Sequence, residues 1–294
     1  MGNSDLNRAH LKEVINSISF DLAFVNGIYS WYFSILPVFL LKKTQKPVIV
    51  SSRGMLNPQA FSVKGKKKKI YLKLARLFKF YSGVIFHATN TDEESCVKNE
   101  IGSSATVRIA PNLPRKLTKQ LKTSNQKGYP VKFVNIARIS IEKGTLKMLK
   151  GLQSVTQSIA LDLYGPIYDK PYWAECEEVI SSFPSHIKVS YRGVLESEDV
   201  PETLKDYDFF VLLSEGENFG HAILEALSVG LPIIISNRTP WKDLEFNRVG
   251  WDVNTTYRVG ISEAFTRALV MSDAKYSKWS QAAYKYAKAF IENP

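Results

Sequence analysis

From Tyr129 onward the chain alternates β-rich runs, "VKFVNIA", "IALDLYG", "IKVSYRG", "DFFVLLS", "LPIIIS" and "RVGWDV", with stretches whose apolar residues recur at helical spacing. This rhythm constrains the fold more than any other feature. Parallel strands must be joined by crossovers, and a helix is the usual crossover, so strand–helix alternation predicts a parallel sheet with helices on both faces. Ligands of such sheets bind beyond the carboxyl ends of the strands.

The same rhythm, sparser, precedes Tyr129: "DLAFV", "PVIVSS", "GVIFHAT" and "ATVRIAP" are strand candidates, with helices expected around 30 to 43, 66 to 81 and 91 to 99. The polar, proline-bounded run Pro111 to Pro130 lacks periodicity and suits an interdomain linker. An α/β chain of two Rossmann-like domains is expected, 1–128 with the linker and 129–294 with a terminal helix.

Phe20 to Leu41 is long enough to span a membrane, but it contains Asp21, Asn26, Gly27 and Pro37. A strand, a turn at Asn26-Gly27 and a buried helix explain it better. Two cysteines without a CxxC or Cys/His cluster argue against a disulfide framework or zinc site, and the first residues lack a signal peptide's order, so a cytoplasmic protein is expected.

A net charge of +11 asks for a polyanionic partner or surface. Val63 to Tyr81 gathers Lys64, Lys66, Lys67, Lys68, Lys69, Lys73, Arg76 and Lys79. Ile70, Leu74, Leu77, Phe78 and Tyr81 trace an apolar stripe on this segment, whereas Leu72, Ala75 or Arg76, and Lys79 trace another. A basic amphipathic helix of this kind suits an anionic membrane surface, on the inner face of the cell membrane if it engages one; the plainer reading is a solvated basic face. Nucleic acid is not expected, because no binding motif accompanies the charge.

The densest chemistry lies in "FVLLSEGENFGHAILEALSVGLPIIIS". A strand ends near Ser214, Gly216 and Gly220 let the loop turn, and a helix from His221 to about Val229 stops at Gly230 and Pro232. Its N-terminus would face the ligand edge with free N–H groups and a positive dipole end. His221, Glu225 and Ser228 share one helical face, so periodicity leaves Glu225 either a solvated residue or a ligand group. Asp206 to Asp208, "DYD", precede a strand and do not suit a metal site, and none is expected.

The string resembles the donor motif of family 4 retaining glycosyltransferases, in which two glutamates are separated by seven residues, with Phe-Gly after the first and Glu-Ala and Gly-x-Pro at and after the second. Here these are Glu217, Phe219, Gly220, Glu225, Ala226, Gly230 and Pro232. "VNIARISIEKG" is similar to the family's strand, Arg and Lys-Gly, here Arg138, Lys143 and Gly144, and "SSRGML", "IFHATNTDEES" and "SNRTPWKDL" resemble a capsule and lipopolysaccharide subgroup. The resemblance implies the GT-B architecture, two Rossmann-like domains facing across a cleft. It also implies a UDP- or GDP-sugar donor as co-substrate, no cofactor or metal, and a glycan or lipid-linked acceptor in surface polysaccharide biosynthesis. Glu225 would hold the ribose; Glu217 the hexose hydroxyls; Arg138 and Lys143 the diphosphate. Asn218, Phe219, Gly220, Gly144 and Asn112 would complete the donor side, and Arg53, His87 and Asn26, the last where relatives often carry His, are acceptor-side candidates. The family's N-terminal strand and Gly-rich loop are not found, so an incomplete N-terminal domain is expected, and the alternative is a catalytically weak relative that only binds nucleotide sugar.

Overall fold

The computed structural model describes residues 7–61, 65–112 and 127–292, and the chain divides into two units, Met1–Asn112 and Leu113–Pro294. Lys64 and most of the expected linker, residues 113–126, lie outside the described residues.

The first unit runs α1 (Arg8–Ser17), β1 (Ala23–Asn26), a π-helical turn (Trp31–Ile35) leading into α2 (Leu36–Leu41), β2 (Val48–Ser51), α3 (Gly65–Leu77), β3 (Ile85–Ala88), α4 (Thr91–Ile101) and β4 (Thr106–Ile109). Its four strands are parallel and lie in sequence order. Val25, Val50 and Phe86 point from the sheet into a core closed by Val38, Leu41, Leu72 and Val97 from the helices. The apolar stretch from Phe20 thus folds as a strand, a turn with Gly27 at φ 88° and a short helix. No helix among the described residues is long and apolar enough to cross a membrane.

The basic helix forms where expected, with one correction. It buries Leu72 and Ala75, and ends at Leu77. Tyr81 therefore lies beyond the helix and outside the apolar stripe: it is buried, with its hydroxyl 2.7 Å from that of Tyr71, and desolvation drives its pKa well above the usual phenol value. The rest of the stripe faces solvent, with Ile70 61%, Leu74 47%, Leu77 71% and Phe78 75% exposed. The face that packs is the one carrying the smaller apolar content.

A buried carboxylate organises the turn after β2. Asn90 caps α4 by accepting from Glu93 N at 2.8 Å, which sets Glu93 in the first helical turn. The Glu93 carboxylate accepts from Ser52 Oγ at 2.5 Å, Gly54 N at 2.7 Å, Thr89 N at 2.9 Å and Thr89 Oγ1 at 2.8 Å. Burial pushes its pKa up, but these hydrogen bonds outweigh burial and hold it below the ordinary carboxylate value. The clamp fixes Arg53 (φ 48°) and Gly54 (φ 74°) in left-handed conformations.

The second unit contains β5 (Val131–Ile136), α5 (Thr145–Leu152), β6 (Ile159–Tyr164), α6 (Lys170–Ser181), β7 (Ile187–Gly193), α7 (Val200–Leu204), β8 (Phe209–Leu212), α8 (His221–Ser228), β9 (Ile233–Ser236), β10 (Gly250–Val253), α9 (Arg258–Leu269) and α10 (Asp273–Glu292). Every strand pairing is parallel and the order is β10-β9-β8-β5-β6-β7. All four residues of β8 are buried, as a central parallel strand covered on both faces requires. One core joins the sheet to α5, α6, α9 and the first turns of α10; the other joins it to α7, α8 and the later turns of α10. Tyr172 belongs to the first of these, accepting from Leu146 N at 2.9 Å, while Tyr168 stays exposed. Asp208 anchors the start of β5 by accepting from Gly128 N at 3.1 Å and Lys132 N at 2.9 Å, a structural role for the "DYD" segment.

Glu93 supplies a test in acid. A carboxyl whose folded pKa is lowered stabilises the protein above its unfolded pKa, and that contribution is lost as pH falls through the folded value. Glu93→Gln cannot accept all four bonds and should lower stability by about 2 to 4 kcal/mol at neutral pH. Its stability should also fall less than the wild type's as pH drops below about 4, the unfolded carboxyl range. Denaturant titrations at neutral and acid pH check both expectations.

Candidate active site

The strand order of the second unit reverses between β5 and β8: β6 and β7 follow on one side of β5, and β8 to β10 lie on the other. Loops leaving the carboxyl ends of two such strands diverge and open a crevice. The loop after β5 carries Arg138, Lys143 and Gly144 into α5; the loop after β8 carries Glu215, Glu217, Asn218, Phe219 and Gly220 into α8. The donor-side candidates of the second unit therefore gather at one edge of one sheet.

Gly144 sets the spacing. Its φ is 71°, and a Cβ there would lie 2.0 Å from the carbonyl oxygen of Leu213. Only glycine lets the first turn of α5 rest on the end of β8. Gly220, φ 80°, opens α8 in the same way, with the Gly220 carbonyl accepting from Ile223 N at 2.9 Å.

Charge closes the crevice across its two loops. Lys143 Nζ lies 2.6 Å from Glu217 Oε1, and both side chains are largely shielded from solvent. Glu215 donates its backbone N–H to Glu142 O at 2.8 Å, and its carboxylate pairs with Lys147 of α5 and with Arg238 beyond β9. For Glu142, burial raises the carboxyl pKa, but its own backbone N–H, Ser140, Arg138 and Lys143 outweigh burial and hold it below the ordinary value. Arg138 is exposed at the mouth. Ser214 Oγ, wholly buried at the end of β8, has no hydrogen-bond partner among the described residues.

Glu225 sits half-buried in the middle of α8, and Ser228 on the same face is buried with its hydroxyl donating to Glu225 O at 2.7 Å. Phe219 is fixed from behind: its carbonyl accepts from Trp241 Nε1 at 2.6 Å, and its ring packs against those of Trp241 and Phe290. Sequence reasoning missed Glu215, Lys147, Arg238 and Trp241. The spacing of Lys147 one helical turn beyond Lys143 was a signal; the pairing of Glu215 with Arg238 depends on strand order and left none.

In the first unit the acceptor-side candidates also meet at the carboxyl edge of their sheet. Asn26, Ser51 and His87 are neighbours across β1, β2 and β3. His87 Nε2 donates to Ala110 O at 2.9 Å, and Nδ1 lies 2.9 Å from Ser51 Oγ. Arg53 Nη1 donates to Asn26 Oδ1 at 3.4 Å. Asn112 follows Ala110 by two residues and is the last residue of the first unit. Among the described residues no group of three or more His, Cys, Asp or Glu side chains could hold a metal ion.

A strand-order reversal flanked by two glycine-opened helices, with cations and carboxylates facing across it, defines a Rossmann-like ligand site. Residues 118–286, more than half the chain, match the model of the family described as glycosyl transferases group 1, and the chain belongs to that family. It is 28% identical over 123 residues to the sulfoquinovosyl transferase SQD2 of Arabidopsis thaliana; that alignment spans 41% of this chain and 22% of the plant protein. Among solved structures, HepE of Anabaena in complex with UDP and glucose superposes with a TM-score of 0.71 at 14% identity, covering 96% of this chain and 76% of that one. The sucrose-phosphate synthase of Thermosynechococcus elongatus gives 0.72 at 14% identity, covering 97% and 73%. WaaG, a glycosyltransferase involved in lipopolysaccharide biosynthesis, gives 0.65 at 13% identity, covering 95% and 90%. The fold is α/β with two parallel sheets, of the GT-B glycosyltransferase class.

Gly144→Ala tests the spacing argument. The side chain would collide with a backbone carbonyl and strain a left-handed residue, so a loss of at least about 2 kcal/mol is expected from conformation and contact together. Chemical denaturation reads the loss, and an unchanged midpoint would show that α5 can retreat from β8.

Proposed function

We propose that this chain transfers a hexose, with retention, from a UDP- or GDP-sugar to a glycan or lipid-linked acceptor during surface polysaccharide biosynthesis. The observation that carries the reading is the pairing of Lys143 with Glu217 across the β5/β8 crevice, which sets a diphosphate cation beside a carboxylate suited to sugar hydroxyls. UDP bound to HepE and the lipopolysaccharide role of WaaG agree with it.

In this reading the diphosphate lies against the start of α5, where Lys143, Arg138 and the helix N-terminus neutralise the charge that develops as the sugar leaves. Glu217 accepts from hexose hydroxyls, and Asn218, Phe219 and Gly220 shape the wall beside it. Glu225 accepts from the ribose hydroxyls, two of which a carboxylate can hold at once. The departing phosphate oxygen takes the acceptor's proton on the same face, which gives retention without a side-chain base. Arg53, His87 and Asn26 serve the acceptor. The solvent-facing apolar stripe of α3, edged by lysines, rests on an anionic membrane where a lipid-linked acceptor is found.

Calorimetry with UDP- and GDP-sugars tests the donor site. Glu225→Ala should weaken binding by about 1.5 to 3 kcal/mol, the loss of a charge-assisted hydrogen bond, while the domain stays folded. Lys143→Met and Arg138→Met should reduce affinity for the nucleoside diphosphate far more than for the nucleoside; equal losses would remove them from the diphosphate. The membrane reading predicts co-sedimentation with anionic vesicles that weakens as salt rises, since the Debye length shrinks from about 10 Å at 0.1 M to about 3 Å at 1 M. Equal binding to neutral vesicles would sink it.

A further inference from the structure

The first unit has a second concave feature at the opposite edge of its sheet, where β3 and β4 begin. It is an open groove of about 530 Å³ between the end of α3 and the turn joining α4 to β4. Its charged lining is Arg76 and Lys79 alone, with no Asp or Glu. Gly83, Ser103, Ser104 and Thr106 supply polar wall, and apolar residues including Ala75, Val84 and Ile101 line the rest. The backbone N–H groups of Gly83, Ser103 and Ser104 have no acceptor among the described residues. Arg76 makes one long hydrogen bond, to Asn99 O at 3.4 Å, and Lys79 has no carboxylate within 4.0 Å among the described residues. Lys79 holds φ at 49°, a left-handed conformation uncommon for a lysine, in the chain reversal between α3 and β3.

We infer that this groove binds the phosphate of an anionic phospholipid headgroup. Two cations, hydroxyls and unused amide donors, without a competing acceptor, form the donor set that a phosphate needs; a guanidinium fork and an ammonium complement its oxygens. The lipid source follows from neighbours in the chain. Leu77 and Phe78, between the two cations in sequence, are 71% and 75% exposed, so a headgroup in the groove leaves its acyl chains beside apolar side chains. The inference rests on the reading of α3 as a membrane-facing helix. It adds that α3 ends in a headgroup pocket and does not act by diffuse charge alone. Because the groove lies at the amino edge of the strands and the acceptor-side candidates lie at the carboxyl edge, a lipid held here leaves the substrate edge open.

Sedimentation of the full chain with two vesicle types of matched surface charge tests the proposal: phosphatidylcholine with phosphatidic acid, and phosphatidylcholine with oleate, whose charge is a carboxylate. The phosphatidic acid vesicles should bind roughly tenfold better, about 1.4 kcal/mol, because at matched charge only a phosphate offers enough oxygens to engage the guanidinium, the ammonium and the amide donors together. Arg76→Gln combined with Lys79→Asn, asparagine being tolerant of the left-handed conformation, should abolish that preference. Lys66→Gln with Lys67→Gln, an equal loss of charge near the start of α3, should weaken both vesicle types alike and keep it. Ser104→Glu, at an exposed position, should abolish the preference as well and covers the case in which the double variant does not fold. No preference in the wild type, or a preference that survives both groove substitutions, overturns the inference. Glycerol 3-phosphate displacing the protein from phosphatidic acid vesicles at low millimolar concentration would assign the groove to a soluble phosphate and overturn the lipid source. Nucleotide binding, measured in parallel on every variant, stays unchanged if the groove acts alone, and its loss in the wild type would instead strike the donor-site reading.

Discussion

How close α5 comes to the end of β8 decides what the second unit can hold. Backbone rests on backbone at Gly144 and Leu213, so no side-chain choice elsewhere can widen or narrow the crevice by much. With that distance fixed, Lys143 meets Glu217, and Glu215 reaches Lys147 on one side and Arg238 on the other. The result is a set of alternating charges on two loops that the sheet itself has placed. Lys143, Lys147 and Arg238 each have a carboxylate partner, which limits the cost of holding these like charges on neighbouring loops.

The first unit solves its own positioning problem by a different means. Its strands are short, and the turn that presents Arg53 is neither a helix nor a strand. A single buried carboxylate, Glu93, holds it through four hydrogen bonds drawn from two loops. The two units thus fix a loop in two ways. One uses steric contact at a glycine and is insensitive to pH; the other uses an ionised acid and is not.

Much of this was legible in the sequence, for physical reasons. The second unit's strands are short β-rich runs, several of them opened by a proline or closed by a glycine, so their positions and the start of α8 could be read to within two residues. The apolar stripe of α3 was legible as a stripe, but which face would pack was not. Helical spacing gives the stripes without their partners, and here Leu72 and Ala75 fit against the sheet while Ile70, Leu74 and Leu77 remain outside. Glu93 was hidden as one acid among three in the first turn of α4, an ordinary place for acids near a helix N-terminus. Glu215 and Arg238 were hidden because they meet only through the order of strands in the sheet.

The indole of Trp241 donates to the carbonyl of Phe219 and packs on Phe290, near the end of the last helix. The loop between β8 and α8 is thus tied to the far end of α10 through one aromatic side chain. With the other four tryptophans replaced, Trp241 becomes an optical reporter for this loop, since its emission follows the polarity and hydrogen bonding of its N–H. The same tie makes the sequence of the last helical turns answerable to the site, although they stand far from it in the chain.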